Sequence, residues 1–464
     1  MTANPRHLRR LWTLAALLMA LATTASGCCL CKPKDHKEEI PCYCAEGMLG
    51  DKLVRTCVDS PLAQYYMQHY RNGDRINPPV DAMIDQVRAS LPPGFPSRQQ
   101  LQAIANNYSC DFATLLLAEK LVYEDFYAEP FRTFYYEEVQ RVAVDPMSEP
   151  VDVPANFKDM VLVIVPGAMY ESKPELNGSF AIQRAYLAQF GWQSCYVPTE
   201  DVGVVEENAC LVANAIRSFR AQGKEIVLFS ASRGGAEVYH AIGNYLRPEE
   251  TTHIRGWINV VGTPRGTPLA DEFTDPPLRI LTRTLLWVNH MGTIDAVDSM
   301  RTDIRMAAFA RTPPPPPHLA ILNYVAVPLS GQIREDNEGG YKRLRKYGPN
   351  DGVTVIIDEI IHGHPTLPSM GFDHHLKEPN QREKSLAVLR AMLRYIHWRD
   401  LNGLGGDPLV QRLPKPQQEV AQKQETAEET SAASVTTVSL RAPARWIEEQ
   451  QAARQAAASA PVTR

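Results

Sequence analysis

The chain has 464 residues, enough for one large domain with appendages or for two domains. A hydrophobic share of 44% is that of a globular protein with a substantial core, which excludes a wholly disordered or fibrous chain. The formal net charge of −5 is spread without a dominant block, so charge offers no reason to expect nucleic acid as a partner.

The first 28 residues stand apart. His7, Arg9 and Arg10 form a basic start, Leu11 to Ala22 a short apolar run, and Ala25-Ser26-Gly27-Cys28 a stretch of small residues ending in cysteine. Charge, apolar stretch and small-residue site make a secretory signal, and the run is short for a membrane span. The segment resembles the bacterial lipoprotein signal over residues 1–27. That resemblance implies lipidation of Cys28 and a protein anchored to the membrane of a bacterial cell envelope, facing periplasm or cell exterior. A plain signal peptide cleaved nearby is the alternative. Six of the nine cysteines lie within the first 57 residues. With Cys28 lipidated, eight remain, an even number suited to disulfides in an oxidising compartment. A zinc site from Cys29, Cys31, Cys42 and Cys44 competes, but C-x-C spacing is not the usual structural zinc pattern.

Residues 28–60 are rich in Lys, Pro and Cys without helical or strand periodicity and are expected to form a Cys-rich tether. Residues 61–149 read as a mainly helical region, most apolar at Thr114 to Val122 and Phe126 to Tyr136, to which no chemistry is assigned. From 150 to 400 strands alternate with helices. Met160 to Val165 is a continuous apolar run, the mark of a strand buried on both faces. A helical stretch at 178–190, a short strand from Gln193 to Val197, and an amphipathic helix from Val204 to Gln222 follow. Glu225 to Phe229 predicts the next buried strand, followed by a helix through Tyr245. Trp257 to Val261, Ile321 to Val327 and Val353 to Ile357 predict three more strands, and Ser385 to His397 a closing helix. Such repetition implies a parallel sheet covered by helices on both faces. An insertion at 264–318 contains the apolar stretch Leu278 to Met291 and a run of prolines from 313 to 317, and reads as a helical lid. An ordinary peripheral insertion is the alternative. Residues 401–464, rich in Gln, Glu, Ala and Thr, predict a disordered tail.

The strongest local signal is Phe229-Ser230-Ala231-Ser232-Arg233-Gly234-Gly235, between a buried strand and a helix. A serine lifted on a sharp strand-to-helix turn needs small residues two before and two after, because larger ones collide with neighbouring backbone. Ser230 and Gly234 meet that need. Here the sequence resembles the α/β-hydrolase family of bacterial lipases and esterases over residues 150–400, with Ser230 where glycine is common. The resemblance implies an α/β fold, Ser232 as nucleophile, then an acid and a histidine in that chain order, with no metal and no organic cofactor.

Gly348-Pro349-Asn350-Asp351-Gly352-Val353 resembles the Asn-Asp-Gly motif that carries the acid in bacterial lipases, which points to Asp351; a simple turn explains it equally, and Asp358 is the fallback. The base is expected in Gly371-Phe372-Asp373-His374-His375-Leu376, ahead of the last helix. An Asp-His pair favours His374, and an apolar residue after the histidine favours His375. His362 and His364 are read as surface or supporting residues. Val165-Pro166-Gly167-Ala168-Met169-Tyr170 ends the first buried strand, where the family places an oxyanion donor: the Ala168 or Met169 amide, with the Arg233 amide as second donor. The activity implied is hydrolysis of a carboxylic ester, lipid esters included, through an acyl-enzyme. A catalytically inactive hydrolase fold used as an envelope scaffold, or an acyltransferase using the same triad, are the alternatives.

Overall fold

A computed structural model of the protein describes residues 39–404 apart from 51, 277 and 289–291. The signal segment, Cys28, Cys29, Cys31 and the tail from 405 onward lie outside the described residues.

The chain from Cys42 opens as a hairpin, β1 (Tyr43–Leu49) and β2 (Lys52–Val58), paired antiparallel in register from Tyr43 opposite Val58 to Leu49 opposite Lys52. The expectation of a tether without strands is thus corrected from Tyr43 onward. Cys, Glu, Arg and Thr on the outer side hide an alternation in which Ala45, Leu49, Val54 and Val58 point inward and are buried. Cys42 and Cys57 form a disulfide, and the Sγ atoms of Cys42, Cys44 and Cys57 lie within 4.8 Å of one another. Among the described residues the other four cysteines form no disulfide: Cys110 is buried, and Cys44, Cys195 and Cys210 are exposed.

Five helices follow: α1 (Pro61–Gln68), α2 (Pro78–Ala89), α3 (Arg98–Asn107), α4 (Cys110–Tyr123) and α5 (Glu129–Val144). Ser60, Ser97 and Ser109 cap α1, α3 and α4 with their side-chain oxygens, and Gln100 completes a capping box at Ser97. Helix α4 is apolar nearly all round, which a helix buried on every side requires. Its leucines share one core with the hairpin and with Val325, Val327 and Ile356 of the following region. The N-terminal helices therefore belong to the same folded unit as the sheet.

The main sheet has six strands: β3 (Val161–Val165), β4 (Ser194–Tyr196), β5 (Ile226–Ala231), β6 (Ile254–Val260), β7 (Ala320–Val327) and β8 (Thr366–Met370), ordered β4-β3-β5-β6-β7-β8 and parallel throughout. The connections carry α6 (Ala181–Ala188), α7 (Val205–Ala221), α8 (Arg233–His240, prolonged by a π-helical turn), α9 (Pro268–Thr274), α10 (Leu278–Val288), α11 (Ile294–Asp298), α12 (Thr302–Arg311), α13 (Glu335–Leu344) and the closing α14 (Gln381–Leu401). Alternate strand residues feed two cores. Leu162, Ile164, Val227, Phe229 and Ile258 face α5 and α14, while Val161, Val163, Leu228 and Trp257 face α7 and α8.

One predicted strand is wrong and one is missing. Val353 to Ile357 makes only an isolated bridge between Val355 and Asn350 before a 3₁₀ turn at Ile356–Glu359. Its apolar residues are buried by packing rather than by pairing. The outer strand is β8, hidden in the sequence by Pro368, which an edge strand tolerates because one side needs no partner. Among the described residues no helix is long and apolar enough to cross a membrane.

Candidate active site

From β3 the chain crosses to β4 on one side, and β5 then pairs with β3 on the other. The loops leaving β3 and β5 consequently diverge at the carboxyl edge of the sheet, where open α/β sheets leave a crevice. Ser232 stands in that crevice. Its φ of 49° and ψ of −120° are a strained conformation for a residue with a side chain. The surroundings hold it there: its N–H donates to Val260 O at 3.0 Å, and its carbonyl accepts from the Gly235 and Thr263 amides at 2.9 and 3.0 Å. The need for small neighbours is met in atomic detail. A Cβ on Gly234 would lie 2.6 Å from the Val165 carbonyl oxygen, and one on Gly235 would lie 2.4 Å from Asn259 Oδ1. Ser230 is buried, accepts the Trp257 indole N–H at 2.8 Å and donates to Asn259 Oδ1 at 3.3 Å.

The structure brings Ser232, His374 and Asp351 together from three loops. His374 Nε2 lies 2.9 Å from Ser232 Oγ, and His374 Nδ1 is hydrogen-bonded to Asp351 Oδ2. The loop holding the histidine is itself tied to the acid, since the His374 N–H donates to the Asp351 carbonyl at 3.0 Å. Asp351 Oδ1 accepts from the Val353 and Thr354 amides at 2.8 and 2.7 Å. Burial alone would raise the Asp351 pKa; the charge and hydrogen bond of His374 and the two amides outweigh it and hold this carboxyl below its ordinary value. It stays ionised at neutral pH.

The other candidates stand elsewhere. His375 turns to α13, its Nδ1 3.3 Å from Asn337 Nδ2 and 3.5 Å from Asp336 Oδ2. Asp358 pairs with Arg98 at 2.9 Å. The Met169 amide is corrected as a donor: it is already given to the Asp201 carbonyl at 2.9 Å. Neither the Ala168 nor the Arg233 amide donates to a backbone acceptor, and both border Ser232, the first across Gly167, whose Cβ position lies 3.4 Å from Ser232 Cβ. Sequence reasoning missed the side chain of Arg233. Buried and paired with Glu237 at 2.7 Å, it donates to the carbonyls of Glu200 at 2.7 Å and Asp201 at 3.1 Å, gripping the loop that holds Met169. The Glu237 partner four residues on was legible as a helical ion pair, but the carbonyls of Glu200 and Asp201 are backbone oxygens, which no side-chain pattern reveals.

A deep apolar pocket opens beside Ser232 and His374. One wall is the sheet face formed by Leu162, Ile164, Phe229, Ala231, Ile258 and Val260; the other comes from Phe180 and Leu187 around α6 and Val388 of α14. No described residue of the lid expected at 264–318 lines the pocket, whose walls beyond the sheet come from residues 176–187 and 374–388. On α10 the apolar residues Ile280, Leu281, Leu285 and Val288 are exposed.

No protein-family profile matches the chain, and neither does any curated protein. Solved structures do match. A metagenomic carboxyl esterase is 20% identical, aligned over 57% of this chain and 91% of its own with a TM-score of 0.44. A Bacillus licheniformis lipase in its mature form is 18% identical over 49% and 89%, with a TM-score of 0.40. A Legionella pneumophila phospholipase is 14% identical over 60% and 66%, with a TM-score of 0.33.

Proposed function

We propose that this chain, whose fold is that of the α/β hydrolases, is a serine hydrolase that cleaves carboxylic esters with apolar acyl groups through an acyl-enzyme on Ser232. The observation that carries the reading is the single imidazole of His374 joining a strained, partly accessible serine to a buried, ionised Asp351. His374 Nε2 takes the Oγ proton as Ser232 Oγ bonds to the ester carbonyl carbon. Asp351 holds the ring with Nδ1 protonated and stabilises the imidazolium. The Ala168 and Arg233 amides stabilise the oxyanion, and one such donor is worth about 3 kcal/mol. The imidazolium then passes its proton to the departing alkoxide. Water, deprotonated by the same nitrogen, releases the acid and restores Ser232.

The pocket supports the acyl preference. From Ala231 down to Leu162, which sits beside Val227 in register, it follows the strands for roughly 13 Å. Its apolar walls favour an alkyl chain by about 0.8 kcal/mol per buried methylene. We also propose, on the sequence alone, that lipidated Cys28 tethers the enzyme to a bacterial envelope membrane; Cys28→Ala should release it into the soluble fraction.

The test is a fluorophosphonate probe together with p-nitrophenyl esters. Wild type should be labelled and should turn over the esters; Ser232→Ala should do neither, with turnover lower by four to six powers of ten. A folded wild-type protein that takes no label overturns the reading.

A further inference from the structure

Behind the triad lies a second acid. Glu359 ends the 3₁₀ turn that follows the Asp351 loop and is fully buried. Its backbone is fixed to the elbow: Asn259, which accepts the Ser230 hydroxyl, donates Nδ2–H to the Glu359 carbonyl at 3.2 Å. Neither carboxyl oxygen of Glu359 receives a hydrogen bond from a donor among the described residues. The charged groups that act on it, Asp351 and Asp358, are both acidic, and Asp351 lies within hydrogen-bond reach.

A buried carboxylate with no donor and two acidic neighbours is unstable as an anion. Two carboxyls in contact cannot both ionise, and one must hold the proton. Asp351 is equipped for the charge, with two amides and His374 directed at it; Glu359 has none of these. A proton on Glu359 turns two facing acceptors into a donor and an acceptor, and so gives it the partner it otherwise lacks.

We propose that Glu359 is a neutral carboxylic acid that donates its O–H to the Asp351 carboxylate, a positioning residue that sets how strongly Asp351 attracts the proton on His374. The proposal rests on the triad reading for its effect on rate, but not for the proton itself. By spreading the charge of Asp351, the O–H weakens its pull on the imidazolium. Burial pushes the Glu359 carboxyl well above its ordinary pKa, in the same direction.

Two variants and one spectrum test this. Glu359→Gln keeps a neutral donor, so the acid limb of kcat/KM against pH should stay within about 0.3 unit and the plateau within about threefold. Glu359→Met removes the donor; the acid limb should rise by about one unit and the plateau fall about tenfold, the scale of one hydrogen bond to a charged group. The infrared difference between wild type and Glu359→Gln at pH 8 should contain the C=O stretch of a protonated carboxyl. That band reads the proton whether or not the protein hydrolyses esters. Its absence overturns the proposal, as does a Gln variant whose acid limb drops by a unit or more, the signature of a lost negative charge. A Met variant with an unchanged profile also overturns it. An inactive wild type that shows the band sinks the Ser232 reading alone.

Discussion

The Asp201 carbonyl receives the Met169 amide at 2.9 Å, and by doing so it decides which amide of the β3 loop is left without a backbone acceptor. Met169 has a φ of 59°, so the loop turns sharply after Ala168, whose N–H has no backbone acceptor among the described residues. Arg233 grips the same carbonyl at 3.1 Å, joining the residue after Ser232 to the loop across the crevice.

Loosening that grip should damage the transition state more than substrate binding. Arg233→Met alone would strand the buried Glu237 carboxylate, at a cost of about 3–5 kcal/mol in stability. The double variant Arg233→Met, Glu237→Gln avoids the stranded charge. In it we expect kcat to fall by roughly 10–100-fold, a part of what one oxyanion donor is worth, with KM changed less than threefold. An unchanged kcat in steady-state assays would show that the loop keeps its position without the clamp.

The adjacent histidines make a sharp pair. His374→Ala should reduce turnover by at least about 10⁴-fold, because among the described residues His374 alone brings a basic nitrogen into hydrogen-bond contact with Ser232 Oγ. His375→Ala should stay within about threefold, since its ring is engaged with α13. Kinetics on one p-nitrophenyl ester decide between them; equal losses would contradict the geometry.

The pocket predicts chain-length selectivity. Ile164→Trp fills the sheet-side wall part of the way down, so kcat/KM for an octanoate ester should fall at least tenfold while that for an acetate ester changes little. Conversely, Leu281→Ser with Leu285→Ser on α10 should leave both untouched, as neither residue lines the pocket. A large loss of soluble-ester hydrolysis in that variant would restore the insertion to a role as a lid.

Stability should carry its own pH signature through Asp125, which accepts the Thr366 amide at 2.7 Å and ties the turn before α5 to the start of β8. Burial pushes this carboxyl up to about 6, although the Thr366 amide, Arg132 and the Tyr127 amide pull the other way. The folded pKa exceeds the unfolded value of about 3.9, so between about pH 4 and 6 the folded state holds more protons, and this group makes stability fall as pH rises. Urea unfolding should show Asp125→Asn gaining on wild type by on the order of 2–3 kcal/mol between pH 4 and 7. A difference constant with pH would refute the assignment.

Much of this protein was written locally. The apolar runs of β3 and β5 announce themselves because a strand buried on both faces admits little else, and the serine elbow is visible because backbone crowding restricts its neighbours to small residues. The order of serine, acid and histidine is likewise a property of the chain. The tertiary structure alone decided the rest. Whether His374 or His375 meets the serine depends on how their loop lies against Asp351. Which amide of Ala168 and Met169 stays free depends on a carbonyl some thirty residues away. Val353 to Ile357 has a strand's composition but finds no strand to pair with, while β8 pairs in spite of its proline. Composition records what a residue can bury or bond; only the fold determines which partner arrives, and for Glu359 that partner is another acid.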